Sequence, residues 1–338
     1  MIRISFLVTA LLSFALSALS GFILIPWLRK LKFGQTILEI GPNWHRAKQG
    51  TPTMGGFMFY AGTFVGICGG LFMISGELKN LIGAMYTNQV VSLCVSMLTA
   101  LGFGIIGYVD DHIKVVKKQN LGLSPKYKIF GQVFVTAAFL AGQYYIGHIT
   151  TVIQLPFLKP FDLGLFYYPI AFVGIIFMVN AVNLTDGIDG LCSSVTFVVA
   201  LGFMMISAAY GYYTNAIFAI ALAGALVGFL VWNFHPAKVF MGDTGSMFLG
   251  GAVVAMAWAV NRPEILVFMG IIYTCEALSV VIQVTYFKIT HGKRIFKMSP
   301  IHHHFEMCGW SEIKIVTVFT AVTVVFGILA IICVFFGL

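Results

Sequence analysis

Residues 166–210 read FYYPIAFVGIIFMVNAVNLTDGIDGLCSSVTFVVALGFMMISAAY. Two apolar runs, 166–184 and 190–210, each approach the ~20 residues that an α-helix needs to cross the hydrocarbon of a bilayer. Between them lies a polar knot: Asn180, Asn183, Asp186 and Asp189, at mutual spacings of three. On one helix these four would share a face. Gly187 and Gly190 predict instead that the helix breaks, leaving a polar turn at the membrane edge. Non-helical backbone at that depth is tolerated only where it is buried in protein or lines a wet cavity. The knot therefore marks a candidate site.

The same kind of apolar run recurs along the chain, over 4–28, 53–74, 88–109, 127–147, 214–232, 244–261, 264–287 and 313–337. Of the 338 residues, 59% are hydrophobic and 9% charged, against about 25% charged in a soluble domain. Too few charges remain to cover a wetted surface, which excludes soluble enzymes, nucleic-acid binders and disordered scaffolds. The expectation is an all-α polytopic membrane protein of about ten transmembrane helices, with residues 1–338 forming one integral-membrane domain. The first run is about 25 residues long with no small-residue cleavage site after it, so it reads as a retained helix. Pro156 and Pro160 predict a short extracytoplasmic β-hairpin within 150–163, and the alternating basic and apolar residues of 291–300 suit an interfacial segment. The six cysteines include no C-x-x-C pair and indicate neither a disulfide framework nor a zinc site.

Sorting the 20 Lys and Arg by the predicted helix order leaves only Arg3, Lys79, Lys159 and Arg262 on one side. Cationic loops face the cytoplasm, which places both termini outside. All aspartates except Asp162 and all histidines except His148 then fall on the cytoplasmic side. Acidic groups gathered inside a cationic face point to one site.

Asp110 and Asp111 end the third run in GIIGYVDDHIKVVKKQN. They face the unfavourable pole of the helix dipole, so a compensating cation is expected, with Lys114, Lys117 and Lys118 in reach. Two carboxylates side by side suit a hard divalent ion such as Mg²⁺, which takes one or two carboxylates plus substrate phosphates. The preceding G-x-G-x-x-G (Gly102, Gly104, Gly107) lies inside an apolar run without the strand that a dinucleotide fingerprint requires. It reads as helix packing, like Gly62, Gly66 and Gly70. In WNFHPAKVFMGDTGS, Asp243, Thr244 and Ser246 form a capping-like cluster ahead of the next helix, with Asn233 and His235 nearby. In PIHHHFE, three consecutive imidazoles, His302, His303 and His304, cannot readily converge on one metal and read as donors to phosphate or sugar. His45, Arg46 and Lys48 precede a Gly/Pro-rich turn, where Lys48 can meet a phosphate. Glu276 sits mid-helix, at about 2.5–3.5 kcal/mol on insertion scales, and is read as structural, with Asn180 as a candidate partner. From the residues alone an ion-coupled transporter also remains open, although transporter sites lie near the midplane and here only Glu276 lies deep.

In this order, the DD pair, NLTDGIDG and FMGDTGS resemble the polyprenyl-phosphate sugar-1-phosphate transferases. KQGTPTMGG and PIHHHFE are similar to one branch, the bacterial phospho-N-acetylmuramoyl-pentapeptide transferases, rather than to the GlcNAc-1-phosphate branch. The resemblance spans residues 45 to 306. It implies transfer of phospho-MurNAc-pentapeptide from UDP-MurNAc-pentapeptide to undecaprenyl phosphate, giving lipid I and UMP, with Mg²⁺ as cofactor. A site between a cytosolic nucleotide and a membrane lipid would belong at the cytoplasmic edge of a bacterial plasma membrane. By this resemblance Asp243 is the first candidate for Mg²⁺ and Asn183 the second. Asp110, Asp111 and Asp243 are the catalytic candidates, the first two orienting or deprotonating the lipid phosphate. Lys48 would hold phosphate, Asp186, Asp189, Asn233 and Phe240 would line the nucleotide end, and His302, His303 and His304 would recognise the muramyl side. A homodimer is an expectation at the family level, and no nucleic-acid partner is expected.

Overall fold

Over their described residues the ten apolar stretches are built mainly of helix, which satisfies the backbone of a long apolar run within the run itself. The computed structural model describes residues 2–31, 48–117, 121–147, 149–155 and 158–336. His45, Arg46, Lys118, His148 and Pro156 lie outside the described residues. In chain order the helices are α1 (Ile2–Lys30), α2 (Gly56–Ile82), α3 (Met85–Val116), α4 (Pro125–Tyr145), α5 (Tyr167–Thr185), α6 (Leu191–Ala209), α7 (Tyr213–Asn233), α8 (Gly242–Ala259), α9 (Leu266–Met269), α10 (Ile271–Ile289), α11 (Ile301–Glu306) and α12 (Glu312–Phe336). Seven of these, α1–α3, α5–α7 and α12, are long and apolar enough to cross a membrane. The segment carrying α9 joins α10 through an 80° bend and makes an eighth if the pair is one span. Helices α4 and α8 also form where expected, but Lys126, Lys128 and Gln132 dilute the first and the GDTGS start dilutes the second. The predicted hairpin is present, with β1 (Val152–Ile153) antiparallel to β2 (Phe161–Asp162).

Helices α7 and α8 form the centre of the bundle. The apolar window of α7 is 78% buried, and α8 is buried without interruption from Thr244 to Ala259. Helices α1, α2 and α6 pack around α7, while α3 and α5 pack on α8. At the rim, α1 and α12 bury only 28% of their apolar windows and turn Leu7, Leu11, Phe22, Ile23, Val325 and Ile328 outward. Such exposure is ruinous in water and unremarkable against lipid tails.

Close approach between helices rests on small residues, since lipid supplies no hydrophobic drive for helix association. The buried face of α1 runs through Ser5, Thr9, Ser13, Ser17 and Gly21, spaced by four, before Ile25 and Leu28 close it. It meets Gly62, Gly66 and Gly70 of α2 and Gly224 and Gly228 of α7. A Cβ at Gly224 would fall on the Ala10 carbonyl, and one at Gly107 of α3 on the Asp243 carbonyl of α8. The glycines read from the sequence as packing devices are therefore contact points.

A Gly224→Ala variant should be destabilised by about 1–3 kcal/mol, because backbone rather than a side-chain tip blocks the new methyl. Gly174→Ala, where a Cβ meets nothing within 4 Å, is the control. Thermal unfolding in detergent should separate the two, and equal Tm values would overturn this packing account.

Candidate active site

At one end of the bundle the C-terminal ends of α3 and α5 meet the N-terminal ends of α4 and α8. The first turn of α8 is half-buried at Gly242 and Asp243 and buried from Thr244 on, and its first N–H groups have no partner within the helix. Asp111, one turn before the end of α3, supplies one: its Oδ2 accepts from Thr244 N at 2.8 Å and Thr244 Oγ1 at 2.7 Å. The negative carboxylate also suits the positive pole of α8. Gly242, at φ +70°, turns the chain into the helix beside that carboxylate.

This junction fixes Asp243 beside the aspartate pair. Carboxylate oxygens of Asp110, Asp111 and Asp243 lie within 4.8 Å of one another. Lys114, one turn beyond Asp110, reaches Asp110 at 2.5 Å, Asp243 at 3.1 Å and Asp111 at 3.9 Å. Lys128 of α4 approaches Asp243 at 2.9 Å. Two ammonium groups are thus shared among three carboxyl groups. Asn183 at the end of α5 donates through Nδ2 to Asp243 Oδ1 at 3.0 Å and to Ser246 Oγ at 2.8 Å. Leu123 N donates to Asp110 Oδ1 at 2.9 Å.

An open pocket of about 320 Å³ lies against this cluster. Asp110, Lys114, Lys128 and Asp243 line its polar side, and Leu123, Pro125 and Ile129 its apolar side. Gln132 and Asn180 close it with a reciprocal amide pair at 3.1 and 2.9 Å. Ile129 and its neighbour Phe130 are exposed on α4, so the pocket adjoins the lipid-facing surface of the bundle.

The helix break predicted within NLTDGIDG is real: α5 ends at Thr185 and α6 begins at Leu191, with Gly190 at φ +77°. Burial, with the Asp243, Asp111 and Asp189 carboxylates around it, pushes the Asp186 carboxyl well above the usual range. Asp189 belongs to a second cluster. Its Oδ1 accepts from Lys48 Nζ at 2.8 Å, and its Oδ2 from Ala237 N at 2.9 Å, with His235 Nδ1 at 3.1 Å. Glu312, in the first turn of α12, accepts from Lys48 Nζ at 2.7 Å and from Asp189 N at 3.0 Å. Buried Asn233 accepts from Ser193 and donates to Val239 O, shaping the 234–240 loop. Phe240 pairs through its backbone with Pro52 and Gly55. The segments carrying Lys48 and Phe240 are thus stitched together.

The histidine run divides. His302 is fully buried, with Nδ1 at 2.9 Å from Glu276 Oε2 and Nε2 packed on Gly187. The pairing of Glu276 with Asn180 expected from sequence does not occur. Asn180 is engaged by Gln132, and the bend ahead of α10 places Glu276 beside α11 instead. His303 sits beside Glu306 with Nδ1 at 2.6 Å, and His304 Nδ1 accepts from Lys297 N at 3.1 Å. Both are partly exposed.

Of the residues singled out by sequence, Asp110, Asp111, Asn183 and Asp243 converge in one cluster, Lys48 and Asp189 in the other, with Asp186 between them. Lys128 and Glu312 were not singled out. Lys128 resembles any cation at a membrane edge, and Glu312 any acid in the first turn of a helix, so neither carries a mark of its own. The donors around Asp110, Asp111 and Asp243 are all hard oxygens, a set that can hold a divalent cation and that suits Mg²⁺ better than a soft metal.

Residues 93–261 match the family model described as glycosyl transferase family 4. Over 96% of both chains the protein is 45% identical to a phospho-N-acetylmuramoyl-pentapeptide-transferase of Halalkalibacterium halodurans. Over 94% of both it is 47% identical to one from Clostridium perfringens strain SM101. A third, from Bacillus mycoides, is 44% identical over 98% of both chains.

Mn²⁺ as a spectroscopic probe should bind the purified protein, and Asp243→Ala should weaken binding by about tenfold or more, because few carboxylates share the ion. Electron paramagnetic resonance titration reads the free ion directly. Unchanged affinity in Asp243→Ala would remove the three-carboxylate cluster as the metal site.

Proposed function

The chain belongs to the phospho-N-acetylmuramoyl-pentapeptide transferase family, and on that premise we propose that it transfers phospho-MurNAc-pentapeptide from UDP-MurNAc-pentapeptide to undecaprenyl phosphate. The products are lipid I and UMP. As a member of this family the protein is a glycosyl-1-phosphate transferase of peptidoglycan synthesis, whose substrates are a nucleotide sugar and a lipid carrier. The observation that carries the finer reading is the Asp110–Asp111–Asp243 cluster at the head of a pocket that is polar on one side and apolar on the other. A phosphate tethered to a lipid needs both sides at once.

In the reaction, an oxygen of the lipid phosphate attacks the phosphorus that bears the sugar. A new P–O–P linkage forms as the bond to UMP breaks. Two anionic substrates repel each other, so most of the catalytic work is positioning and charge neutralisation. Lys114 and Lys128 gather the lipid phosphate at the pocket, with Leu123, Pro125 and Ile129 against the first part of its chain. Asp110 and Asp111 orient that phosphate. The second pKa of a phosphate monoester is near 6, so a strong base is not required. Asn183 holds the Asp243 carboxylate, and a half-turn of its amide offers an oxygen to an ion. Bound Mg²⁺, with Asp243 as first ligand, would neutralise the diphosphate and stabilise the leaving UMP. Lys48, Asp186, Asp189, Asn233 and Phe240 take the nucleotide end. His303 and His304, both partly exposed, would recognise the muramyl side, while buried His302 steadies the Gly187 turn.

The same reading gives ten crossings by one integral-membrane domain in the bacterial plasma membrane, with both termini outside and the site facing the cytoplasm. Two things support it. Helix ends alternate at the site, with the C-termini of α3 and α5 meeting the N-termini of α4 and α8, and sixteen of the 20 cations sort to that side.

Detergent-purified protein should release UMP from UDP-MurNAc-pentapeptide only when undecaprenyl phosphate and Mg²⁺ are both present. Asp243→Ala should lower kcat by on the order of 10²–10³, the scale for loss of a principal electrostatic group. Release from UDP-GlcNAc but not from the muramyl nucleotide would transfer the assignment to the sibling reaction.

A further inference from the structure

Lys48 does not stand free at the nucleotide end. Its ammonium lies between Asp189 Oδ1 at 2.8 Å and the Glu312 carboxylate at 2.6 and 2.7 Å. Both acids are nearly buried, whereas the Lys48 side chain keeps 17% of its surface open. A lysine ammonium is a point charge on four rotatable methylenes and is placed only by what surrounds it. Here two carboxylates from distant parts of the chain, 141 and 264 residues away in sequence, hold one side of it. Its open side is left for a ligand.

Glu312 also accepts the Asp189 backbone N–H at 3.0 Å. With Glu312 in place, Asp189 turns its Oδ2 to Ala237 N and His235, and so anchors the loop that leads to Phe240. One carboxylate at the start of the last helix thus ties together three segments: the loop of Lys48, the turn of Asp189 and residues 235–240, the last both through Asp189 and by its own approach to His235 at 3.7 Å. It touches none of the three aspartates around the pocket among the contacts found in the described residues.

We propose that Glu312 is a positioning residue for the nucleotide subsite, fixing Lys48 and Asp189 so that the open side of the Lys48 ammonium meets the diphosphate of the nucleotide sugar. This rests on the function proposed above, because that function makes the Lys48 and Asp189 region the nucleotide end. Glu312 acts through Lys48 and makes no contact with the reacting phosphorus. Its loss should therefore weaken binding of the nucleotide sugar and leave the chemical step nearly intact.

The test is a double-variant cycle on the full-length enzyme in detergent with Mg²⁺. Glu312→Gln keeps the shape but turns an amide on Lys48. It should raise KM for UDP-MurNAc-pentapeptide by about tenfold, with kcat within about threefold and KM for undecaprenyl phosphate unchanged, the pattern of lost uniform binding. Glu312→Asp, one methylene shorter, should recover part of the affinity. In a Lys48→Met background, Glu312→Gln should add little, because residues in one network are not additive. Additive effects, a fall in kcat without a change in KM, or losses that follow Tm would each overturn the proposal. Calorimetric titration with UDP on the same variants separates the two claims. If the wild type binds UDP but releases no UMP, the proposed reaction fails, and the Glu312 effect on UDP affinity still decides this inference. If the wild type turns over and Glu312→Gln keeps its KM, this inference fails alone.

Discussion

The hydrogen bonds from Thr244 to the Asp111 carboxylate are the constraint on which the site depends. A helix that starts inside a membrane protein brings N–H donors into a region with little water, and each one left unsatisfied costs several kcal/mol. Helix α8 starts in that situation, with Thr244 and Ser246 buried. A carboxylate from α3 satisfies it, and α3 approaches closely enough only because residue 107 lacks a side chain. Once α3 and α8 are joined there, Asp243 must lie beside Asp110 and Asp111. Three carboxylates in one place then demand cations, and Lys114 and Lys128 are drawn in. The solution to a capping problem is thereby also the solution to gathering acidic groups at one point.

A common electrostatic logic governs both clusters. Three carboxylates share two lysines in the first, and two carboxylates share Lys48 in the second. Each is nearly neutral, which lets charged groups survive partial burial. Each also holds more carboxyl groups than ammonium groups and an ammonium with an open side, so a metal or a phosphate can exchange contacts with it. A fully matched set of ion pairs would give a ligand less to gain.

The helices and the acidic positions were legible in the sequence for one reason: polar residues inside apolar runs are few, so each stands out. Asp110, Asp186, Asp189 and Asp243 needed only position along the chain to be noticed, and the glycines of NLTDGIDG announced the break between α5 and α6. Partners were harder to read. Lys128 and Glu312 are ordinary residues for helix starts, and their importance lies in which distant chain they meet. The partner of Glu276 depended on the bend between α9 and α10, which brings α11 to it; a straight-helix reading pointed to Asn180 instead. Helices α4 and α8 show the same limit in hydropathy, since the polar groups that make them useful to the site dilute the pattern that marks a span.

Helix α1 is inside out by the standards of a soluble protein. From Ser5 to Gly21 hydroxyls and glycine face its neighbours, while leucine, isoleucine and phenylalanine line its outward face, and Ile25 and Leu28 near its end turn apolar side chains inward. Among the described residues, the hydroxyls of Thr9, Ser13 and Ser17 are buried without a hydrogen-bond partner, so smallness rather than polarity is what the interface requires of them. Redesigning this protein for water would therefore leave the polar stripe almost untouched and replace the greasy one. Alanine would serve as an interior substitute for serine here, while a single larger aliphatic group on the same face would prise α1 from α2 and α7.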